Sequence, residues 1–386
     1  MKPEPSISRR TLLGTLASAI AGTSLGGLAP GRARAQDQPA KPKTNIADAS
    51  KQPRTAGSMP GKYPGRVVLA RNDKAWSNDA PDTKTLDRMV EGALLSLTGT
   101  SSIEAAWREF VTPDDVVGLK VNPVAGKLLS TSPEIVQVII TQLEKAGMPR
   151  KNIVIWDRRE FELYETGFTA DAFPGVRITG TERKDASGSF RDSAGKLYSE
   201  AVIDRDWYYW ADVEEKYDEE TFPYMVNEGK HSYFTGICTK EVTRIINVPI
   251  LKNAGSSVTL CMKNLAYGAI TNTSRLHKTL WHETCAEVPA FAPLRDKVVL
   301  NIVDGVKGCY QGGPGANPQF ITTFNTILAG TDPVAVDRIG YDIILKKRIE
   351  EKIQKEESPR GRIYMDLAEK LGLGIADLGE IDVTTL

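Results

Sequence analysis

The stretch that decides the fold reads Val-Val-Gly-Leu-Lys-Val-Asn at residues 116–122, then Ser-Pro-Glu at 132–134 and Ile-Val-Ile-Trp-Asp at 153–157. The first and last segments are short apolar runs rich in β-branched residues, which is typical of buried strands. Ser132 is a good helix N-cap, and Pro133 suits a first helical turn. A strand, a helix and a strand in close succession predict two parallel strands with a right-handed crossover.

The same alternation continues on both sides of this unit. Before it, residues 66–70 predict a strand, and residues 82–97 carry apolar side chains at helical spacing. After it, the sequence predicts further strands at 244–248, 298–304 and 325–329, and further helices at 256–267 and 332–346. We therefore expect an α/β fold with a mostly parallel sheet flanked by helices.

The α/β pattern spans residues 63–346 and is interrupted or flanked by three other segments. Residues 158–235 are polar, charged and aromatic, and they predict an inserted lobe. Residues 36–62 are rich in Pro, Lys, Ala, Gly and Ser, which predicts a flexible leader. Residues 347–386 are strongly charged and predict a helical tail.

The N-terminus has the features of an export signal. Arg9 and Arg10 precede a weakly apolar stretch, and Ala-Arg-Ala at 33–35 is a small-x-small cleavage site. The arginine pair predicts a twin-arginine signal peptide over residues 1–35, cleaved near Ala35, with the twin-arginine translocase as partner during export. Because Gly, Ser and Thr dilute the apolar stretch, we expect a periplasmic protein with no stable membrane span after cleavage. The alternative is a retained membrane helix.

The charge balance bears on the partners. The chain has 49 basic and 49 acidic residues, and removal of residues 1–35 leaves 44 basic and 48 acidic ones, a formal net charge of −4. A protein without a basic excess cannot release many counterions from a phosphate backbone. We therefore expect no nucleic-acid partner. The expectation of a small-molecule ligand depends on the polar strand-end residues and not on the charge.

Four cysteines, none of them in a C-x-x-C pair, bear on metal and redox chemistry. They are Cys238, Cys261, Cys285 and Cys309. Zinc and iron–sulfur sites usually use closely spaced pairs, so the spacing argues against both. We interpret these cysteines as structural residues, either buried or disulfide-bonded.

Polar residues at the ends of the predicted strands point to a binding site. They are Lys120, Asn122, Asp157, Asn247 and Asp304. Ligands of open parallel sheets bind at the carboxyl ends of the strands, where these side chains would converge. The alternative for each aspartate or asparagine is that it caps a turn.

Three lysines from different elements strengthen this expectation. Lys120 interrupts an apolar strand, Lys252 follows an Asn-Val-Pro segment, and Lys263 lies beside Asn264 on a predicted helix. A buried lysine needs a counter-charge, so three of them could hold a phosphate or carboxylate together. The alternative is that each forms a structural ion pair with an acidic residue.

A glycine-rich loop and a histidine complete the candidate site. Gly312 and Gly313 lie in the segment 308–315, where backbone amides could approach an anion, although the segment matches neither common nucleotide-binding pattern. His277 is a candidate general acid or base. His282 and Cys285 are three residues apart and could share one face of a helix, so a metal site is the alternative role for this segment. We assign no metal ligand.

Four ordered blocks resemble the motifs of the domain of unknown function 362 family. They are Asn-Val-Pro-Ile-Leu-Lys at 247–252, Thr-Leu-Cys-Met-Lys-Asn-Leu at 259–265, Val-Asp-Gly-Val-Lys-Gly at 303–308 and Ala-Gly-Thr-Asp-Pro-Val-Ala-Val-Asp at 329–337. The family often has Lys-Thr-His where this chain has Lys252-Asn253-Ala254. Some relatives carry ferredoxin-type cysteine clusters, which this chain lacks.

Together these features predict an exported small-molecule enzyme that acts on an anionic or carbohydrate-like substrate, with or without a metal or redox cofactor that the sequence does not identify. We expect Lys263, Asp304 and His277 to be catalytic, with Lys263, Asn264 and Asp304 facing one cleft. We expect the remaining candidates to bind the ligand: Lys120, Asn122, Asn247, Lys252, Asn264, Gly312 and Gly313. The alternative is a non-catalytic periplasmic protein that binds a ligand or delivers a cofactor.

Overall fold

A computed structural model describes residues 41–214 and 221–386 of the chain. The predicted signal peptide, residues 1–35, lies outside the described residues. The chain divides into residues Met1–Lys41 and a second unit, Pro42–Leu386. All of the helices and strands below belong to the second unit.

Strands and helices alternate along most of the described chain. The strands are β1 Arg66–Arg71, β2 Trp76–Ser77, β3 Ala80–Pro81, β4 Val117–Lys120, β5 Ile153–Arg159, β6 Arg177–Glu182, β7 Ile203–Trp210, β8 His231–Thr235, β9 Arg244–Asn247, β10 Ile250–Ala254, β11 Ser257–Thr259, β12 Val298–Cys309, β13 Ile321–Gly330 and β14 Asp382–Thr385. The α-helices are α1 Thr83–Thr98, α2 Ile103–Arg108, α3 Pro133–Lys145, α4 Glu160–Glu165, α5 Cys261–Ala269, α6 Ser274–Thr279, α7 Trp281–Glu287, α8 Ala292–Arg295, α9 Pro333–Glu350 and α10 Ile363–Lys370.

Ten of the strands form one mostly parallel sheet. Its order is β14-β1-β13-β12-β9-β4-β5-β6, with β10 beside β12 and β11 beside β10. Six neighbouring pairs are parallel and three are antiparallel. The two strands of the deciding stretch are adjacent and parallel, with Leu119 opposite Ile155. The predicted α/β fold with a mostly parallel sheet is therefore confirmed.

Apolar side chains on the two faces of the sheet form two separate cores. Val117 and Leu119 of β4 join the core that contains Leu86 of α1 and Ile135 of α3. Because side chains alternate along a strand, Lys120 points to the opposite face. That face carries the second core, which contains residues of α5, α7, α9 and α10. The sheet thus lies between two layers of helices.

The segment after β10 differs from its prediction as a helix from residue 256. Ser257–Thr259 instead forms β11, which pairs back on β10 with Ala254 opposite Ser257. Gly255 supplies the left-handed backbone of the turn, with φ of +57°. The hairpin uses the backbone groups that a helix would need, so α5 begins at Cys261.

The three flanking segments also differ from their predictions. Part of the predicted lobe is β6, which extends the main sheet beside β5, while β7 and β8 form a separate antiparallel hairpin. The predicted flexible leader packs on the domain over residues 42–62, where Met59 is fully buried and the Arg295 guanidinium donates to the Ala49 and Pro53 carbonyls. The predicted helical tail ends in β14, which pairs with β1 at the sheet edge.

Within the described part of the chain, the longest apolar helical segments fall short of what a bilayer crossing requires.

Asp332 joins the start of α9 to two distant segments. Its Oδ1 accepts hydrogen bonds from the amides of Val334 and Ala335, at 3.0 and 2.9 Å, as an N-cap does. Its Oδ2 accepts from the amides of Gly65 and Ile375, each at 3.1 Å. One buried carboxylate therefore satisfies four backbone donors from three parts of the chain.

We predict that Asp332→Ala lowers the free energy of unfolding by about 3–5 kcal/mol, because several buried amides lose their acceptor at once. Urea denaturation at pH 7 measures this loss. Asp332→Asn, which keeps one carbonyl oxygen, should lose less. A loss below about 1 kcal/mol for the alanine variant would show that water replaces the carboxylate.

Candidate functional site

A pocket lies at the carboxyl ends of β4 and β5, against α5. It encloses about 80 Å³ and is lined by Asn122, Val124, Asp157, Arg158, Lys252, Thr259, Lys263, Asn264, Tyr267, Gly268, His277 and Pro314. We call it the strand-end pocket. Five of the predicted site residues line it directly: Asn122, Lys252, Lys263, Asn264 and His277.

Asn264 of α5 links the helix to the strand ends. Its Oδ1 accepts hydrogen bonds from Lys120 Nζ at 3.0 Å and from Asn122 Nδ2 at 2.9 Å. Its Nδ2 donates to Asn247 Oδ1 at 2.8 Å. The Asn247 Nδ2 in turn donates to Asn301 Oδ1 at 3.0 Å. The amide of Asn264 is therefore used by the protein itself and positions the residues around the pocket.

Two features hold α5 against the strand ends. The carboxylate of Asp337 accepts hydrogen bonds from the amides of Cys261 and Met262, at 2.6 and 3.1 Å, and so fixes the first turn of the helix. Near its end, Gly268 passes close to Lys120. A Cβ atom at Gly268 would lie 2.2 Å from Lys120 Cε, so a larger residue would have to displace Lys120 from its buried ion pair.

Lys120 is a buried cation with a full set of acceptors. Its ammonium group donates to the Asp157 carboxylate, to Asn264 Oδ1 and to the Val121 carbonyl. Neither Lys120 nor Asp157 has appreciable solvent exposure. Lys120 therefore forms a structural ion pair, the alternative that the sequence left open.

Lys252 and Lys263 have far fewer partners. Lys252 is fully buried, and its ammonium donates to Asn122 Oδ1 at 2.8 Å. Lys263, with 5% exposure, donates to Thr259 Oγ1 at 3.2 Å and lies over the rings of Tyr267 and Trp281. In residues 41–214 and 221–386, neither lysine forms an ion pair with an acidic side chain.

Burial without a counter-charge lowers the pKa of both lysines, since the charged form is the one that loses hydration. The pKa of Lys252 falls to about 7, first through burial and then through the charge of Lys263. The pKa of Lys263 falls to about 8, mainly through burial. Both amines therefore change charge near neutral pH.

Arg158 and Glu182 form an ion pair at the side of the pocket. Arg158 Nε lies 3.4 Å from Glu182 Oε1, and Arg158 Nη1 donates to the Tyr267 carbonyl at 3.1 Å. Burial raises the pKa of Glu182 to about 7, although Arg158 and Arg159 act in the opposite direction. Sequence reasoning missed this pair, because it depends on the pairing of β5 with β6.

His277 lines the pocket and is an exposed residue, so we take it to mark the mouth of the pocket. Its Nδ1 lies 2.9 Å from the Thr273 carbonyl, which can only accept, so Nδ1 carries the proton and Nε2 is left as an acceptor. The surrounding protein atoms and the charge of Lys263 lower the pKa of His277, which favours the neutral ring at pH 7. His277 can therefore accept a proton or a hydrogen bond at the pocket entrance.

Asp304 does not lie in the strand-end pocket, in contrast to the predicted shared cleft with Lys263 and Asn264. Strand β12 continues past Asp304 to Cys309. Because side chains alternate along a strand, Asp304 lies on the same face as Ile302 and Val306, which belong to the core on the opposite side of the sheet. Its carboxylate accepts from the amides of Ser132 and Val306, at 2.9 and 3.2 Å. Asp304 thus fixes the start of α3.

The glycine-rich loop contributes through Pro314, which lines the pocket. Gly313 donates its amide to Asn253 Oδ1 at 2.7 Å, so this amide is engaged within the protein. A Cβ atom at Gly313 would lie 1.8 Å from the Asn253 carbonyl oxygen, which explains the need for glycine. Gly312 has φ of +82° and supplies the turn before it.

The four cysteines are buried free thiols. Among the residues that the structure describes, no three His, Cys, Asp or Glu side chains are grouped so that they could hold a metal ion, and this includes the surroundings of His282 and Cys285.

We predict opposite stability effects for two buried lysines. Lys120→Met should lower the free energy of unfolding by about 3–5 kcal/mol, because it leaves Asp157 buried without its counter-charge. Lys263→Met should leave this free energy unchanged or raise it, because a flexible apolar side chain replaces an unpaired buried amine. Urea denaturation of both variants at pH 7 measures the difference.

The pH dependence gives a further check on Lys263. The pKa of Lys263 is about 8 in the folded chain and 10.5 ordinarily, so between these values the unfolded chain binds more protons than the folded one. The unfavourable effect of Lys263 on folding stability therefore decreases as pH rises through this range. If Lys263→Met has a higher free energy of unfolding than the unsubstituted protein, the difference should therefore decrease from pH 8 towards pH 10. A large loss for both variants would contradict the unpaired state of Lys263.

Comparisons with known proteins bear on the family. No curated protein matches the chain. A crystal structure of a protein from Thermotoga maritima aligns with a TM-score of 0.38 and 7% identity over 72% of this chain, and the alignment spans 60% of that protein's length. The family model for the domain of unknown function DUF362 matches residues 117–342, more than half of the chain. The chain is therefore a member of the DUF362 family.

Proposed function

We propose that this protein is an exported small-molecule enzyme that binds an anionic substrate in the strand-end pocket, with Lys252 and Lys263 as the groups that receive the anion. The observation that carries the proposal is that both lysines are buried in one pocket without an acidic partner among the described residues. An unpaired buried cation is unfavourable, and a bound anion would supply its missing partner.

The other charges around the pocket pair with one another. Lys120 is paired with Asp157, and Arg158 shares Glu182 with Arg159, which also pairs with Glu162. Lys252 and Lys263 therefore differ from these cations, because neither has an acidic partner within residues 41–214 and 221–386. A carboxylate or phosphate group has the charge and the oxygen acceptors that two ammonium groups require.

The size of the pocket limits the substrate. Pockets for drug-sized ligands enclose about 300–1,000 Å³, whereas the strand-end pocket encloses about 80 Å³. It therefore suits a small organic acid, or the anionic end of a carbohydrate-like molecule whose remainder extends past His277 into solvent.

The pKa values favour catalysis over binding alone. A general acid or base works best when its pKa lies near the working pH, and the pKa of Lys252 is about 7. The neutral His277 ring offers a second proton acceptor at the pocket mouth. A site that only binds anions would gain from permanently charged lysines, so the lowered pKa values support an enzyme.

We predict that the full chain binds acetate and inorganic phosphate saturably, and that Lys263→Met weakens binding by about 10- to 100-fold through loss of a charge-assisted hydrogen bond. Affinity should fall as pH rises through 7 to 8, because the free lysines lose their protons there. Isothermal titration calorimetry in buffers of different ionisation heat measures both affinity and proton uptake.

Lys74→Met serves as the control for these titrations, since Lys74 is exposed and lies outside the pocket. Its affinity for both anions should equal that of the unsubstituted protein. Absence of binding in the unsubstituted protein, or full binding by Lys263→Met, would refute the proposed site. If a small molecule co-purifies with the protein and stays chemically unchanged on incubation with it, the protein has a non-catalytic binding or delivery function rather than an enzymatic one.

We also propose that the chain is exported by the twin-arginine translocase and reaches the periplasm after cleavage near Ala35. The support is the order of Arg9 and Arg10, the weakly apolar stretch and the cleavage site.

We predict that changing Arg9 and Arg10 together to lysine stops export, because the translocase recognises the arginine pair rather than its charge. Immunoblots of periplasmic and cytoplasmic fractions measure the distribution of the protein. The control replaces Lys2, the other basic residue before Arg9, with arginine and should export normally. Normal periplasmic yield of the double lysine variant would exclude this route.

A further inference from the structure

We infer that Lys252 is a nucleophilic amine that forms an imine with a small keto acid, whose carboxylate is held by Lys263. This inference rests on the anion-binding function proposed for the strand-end pocket and names its substrate class. It follows from the unequal surroundings of the buried lysines.

The surroundings of Lys252 suit a free amine. A neutral amine has two hydrogens and one lone pair, and the one acceptor of Lys252 Nζ among the described residues, Asn122 Oδ1 at 2.8 Å, takes one hydrogen. Lys252 lines the strand-end pocket, and we assign the remaining lone pair to a substrate bound there. Lys120 differs, because its three acceptors, including the Asp157 carboxylate, require all three hydrogens of an ammonium group.

The neighbouring cation supports this assignment. Lysine becomes a nucleophile when it is desolvated and when a second cationic group lies nearby. Lys252 is fully buried, and the charge of Lys263 further lowers its pKa, to about 7. The free amine is therefore much more accessible at neutral pH than in an exposed lysine, whose ordinary pKa is about 10.4. Lys263 keeps its proton to a higher pH, so it is the better group for a carboxylate.

The pocket volume restricts the keto acid to a short one. The volume of about 80 Å³ exceeds the roughly 10–15 Å³ that a single water needs and is far below the roughly 300–1,000 Å³ of pockets for drug-sized ligands, so it suits an acid of few heavy atoms. A three-carbon 2-oxo acid such as pyruvate fits this limit. Its carbonyl carbon and carboxylate are adjacent, as two lysines lining one small pocket require.

The step balances without a further reactant. The Lys252 nitrogen adds to the carbonyl carbon, and one amine hydrogen passes to the carbonyl oxygen to give a carbinolamine. The carbon–oxygen bond then breaks, the second amine hydrogen leaves with the oxygen as water, and the carbon–nitrogen double bond remains. Lys263 can protonate the departing hydroxyl and recover its proton from the nitrogen.

Borohydride reduction of the full chain in the presence of pyruvate tests this inference. Reduction makes the imine permanent, so intact-mass spectrometry should show one added reduced pyruvate per chain, and peptide mapping should place it on Lys252. Lys252→Met should lose the adduct, while Lys74→Met, which keeps the pocket intact, should retain it. Circular dichroism confirms that each variant is folded.

The outcomes separate this inference from the proposed function. No adduct at saturating pyruvate, or adducts spread over surface lysines, would overturn the role of Lys252. If acetate and phosphate still bind in that case, the anion-binding site stands without the imine. If Lys252→Met does not fold, the peptide map of the unsubstituted protein alone shows whether Lys252 forms the imine, because it identifies the lysine that carries the adduct.

Discussion

The side-chain amide of Asn264 is the contact on which the site depends, because it joins α5 to the ends of two parallel strands. It accepts from Lys120 and Asn122 and donates to Asn247. A buried amide with both ends used in this way has one favourable orientation, and so does the helix that carries it. Lys263 is the preceding residue on that helix, so its direction into the pocket follows from the position of Asn264.

Lys120 contacts this amide, and two further buried lysines line the pocket beside it, but their surroundings differ. Lys120 has a carboxylate partner and contributes to the fold, whereas Lys252 and Lys263 have neutral partners and lowered pKa values. Leaving two amines unpaired lowers the stability of the folded chain, and a sequence selected for stability alone would replace them with apolar residues. Such a local conflict with stability is typical of functional sites.

Sequence patterns predicted the fold and many of the strand-end residues, but not which face of the sheet each one occupies. Lys120, Asn122, Asn247, Lys252 and Asn264 converge as expected, because carboxyl ends of parallel strands meet at one edge. The prediction for Asp304 was wrong because β12 continues past this residue, and the alternation of side chains along the strand places Asp304 on the opposite face. Arg158 and Glu182 could not be paired from the sequence, since their contact needs the position of β6.

The departure from the family motif at residues 252–254 has a structural counterpart. Side chains alternate along β10, so a histidine at 254 would stand on the same face as Lys252. Ala254 is buried here and pairs with Ser257 across the hairpin. His277 of α6 supplies an imidazole to the pocket, and the charge of Lys263 contributes to the lowering of its pKa. A proton acceptor that is neutral at pH 7 therefore lines the same pocket as two lysines that change charge near that pH.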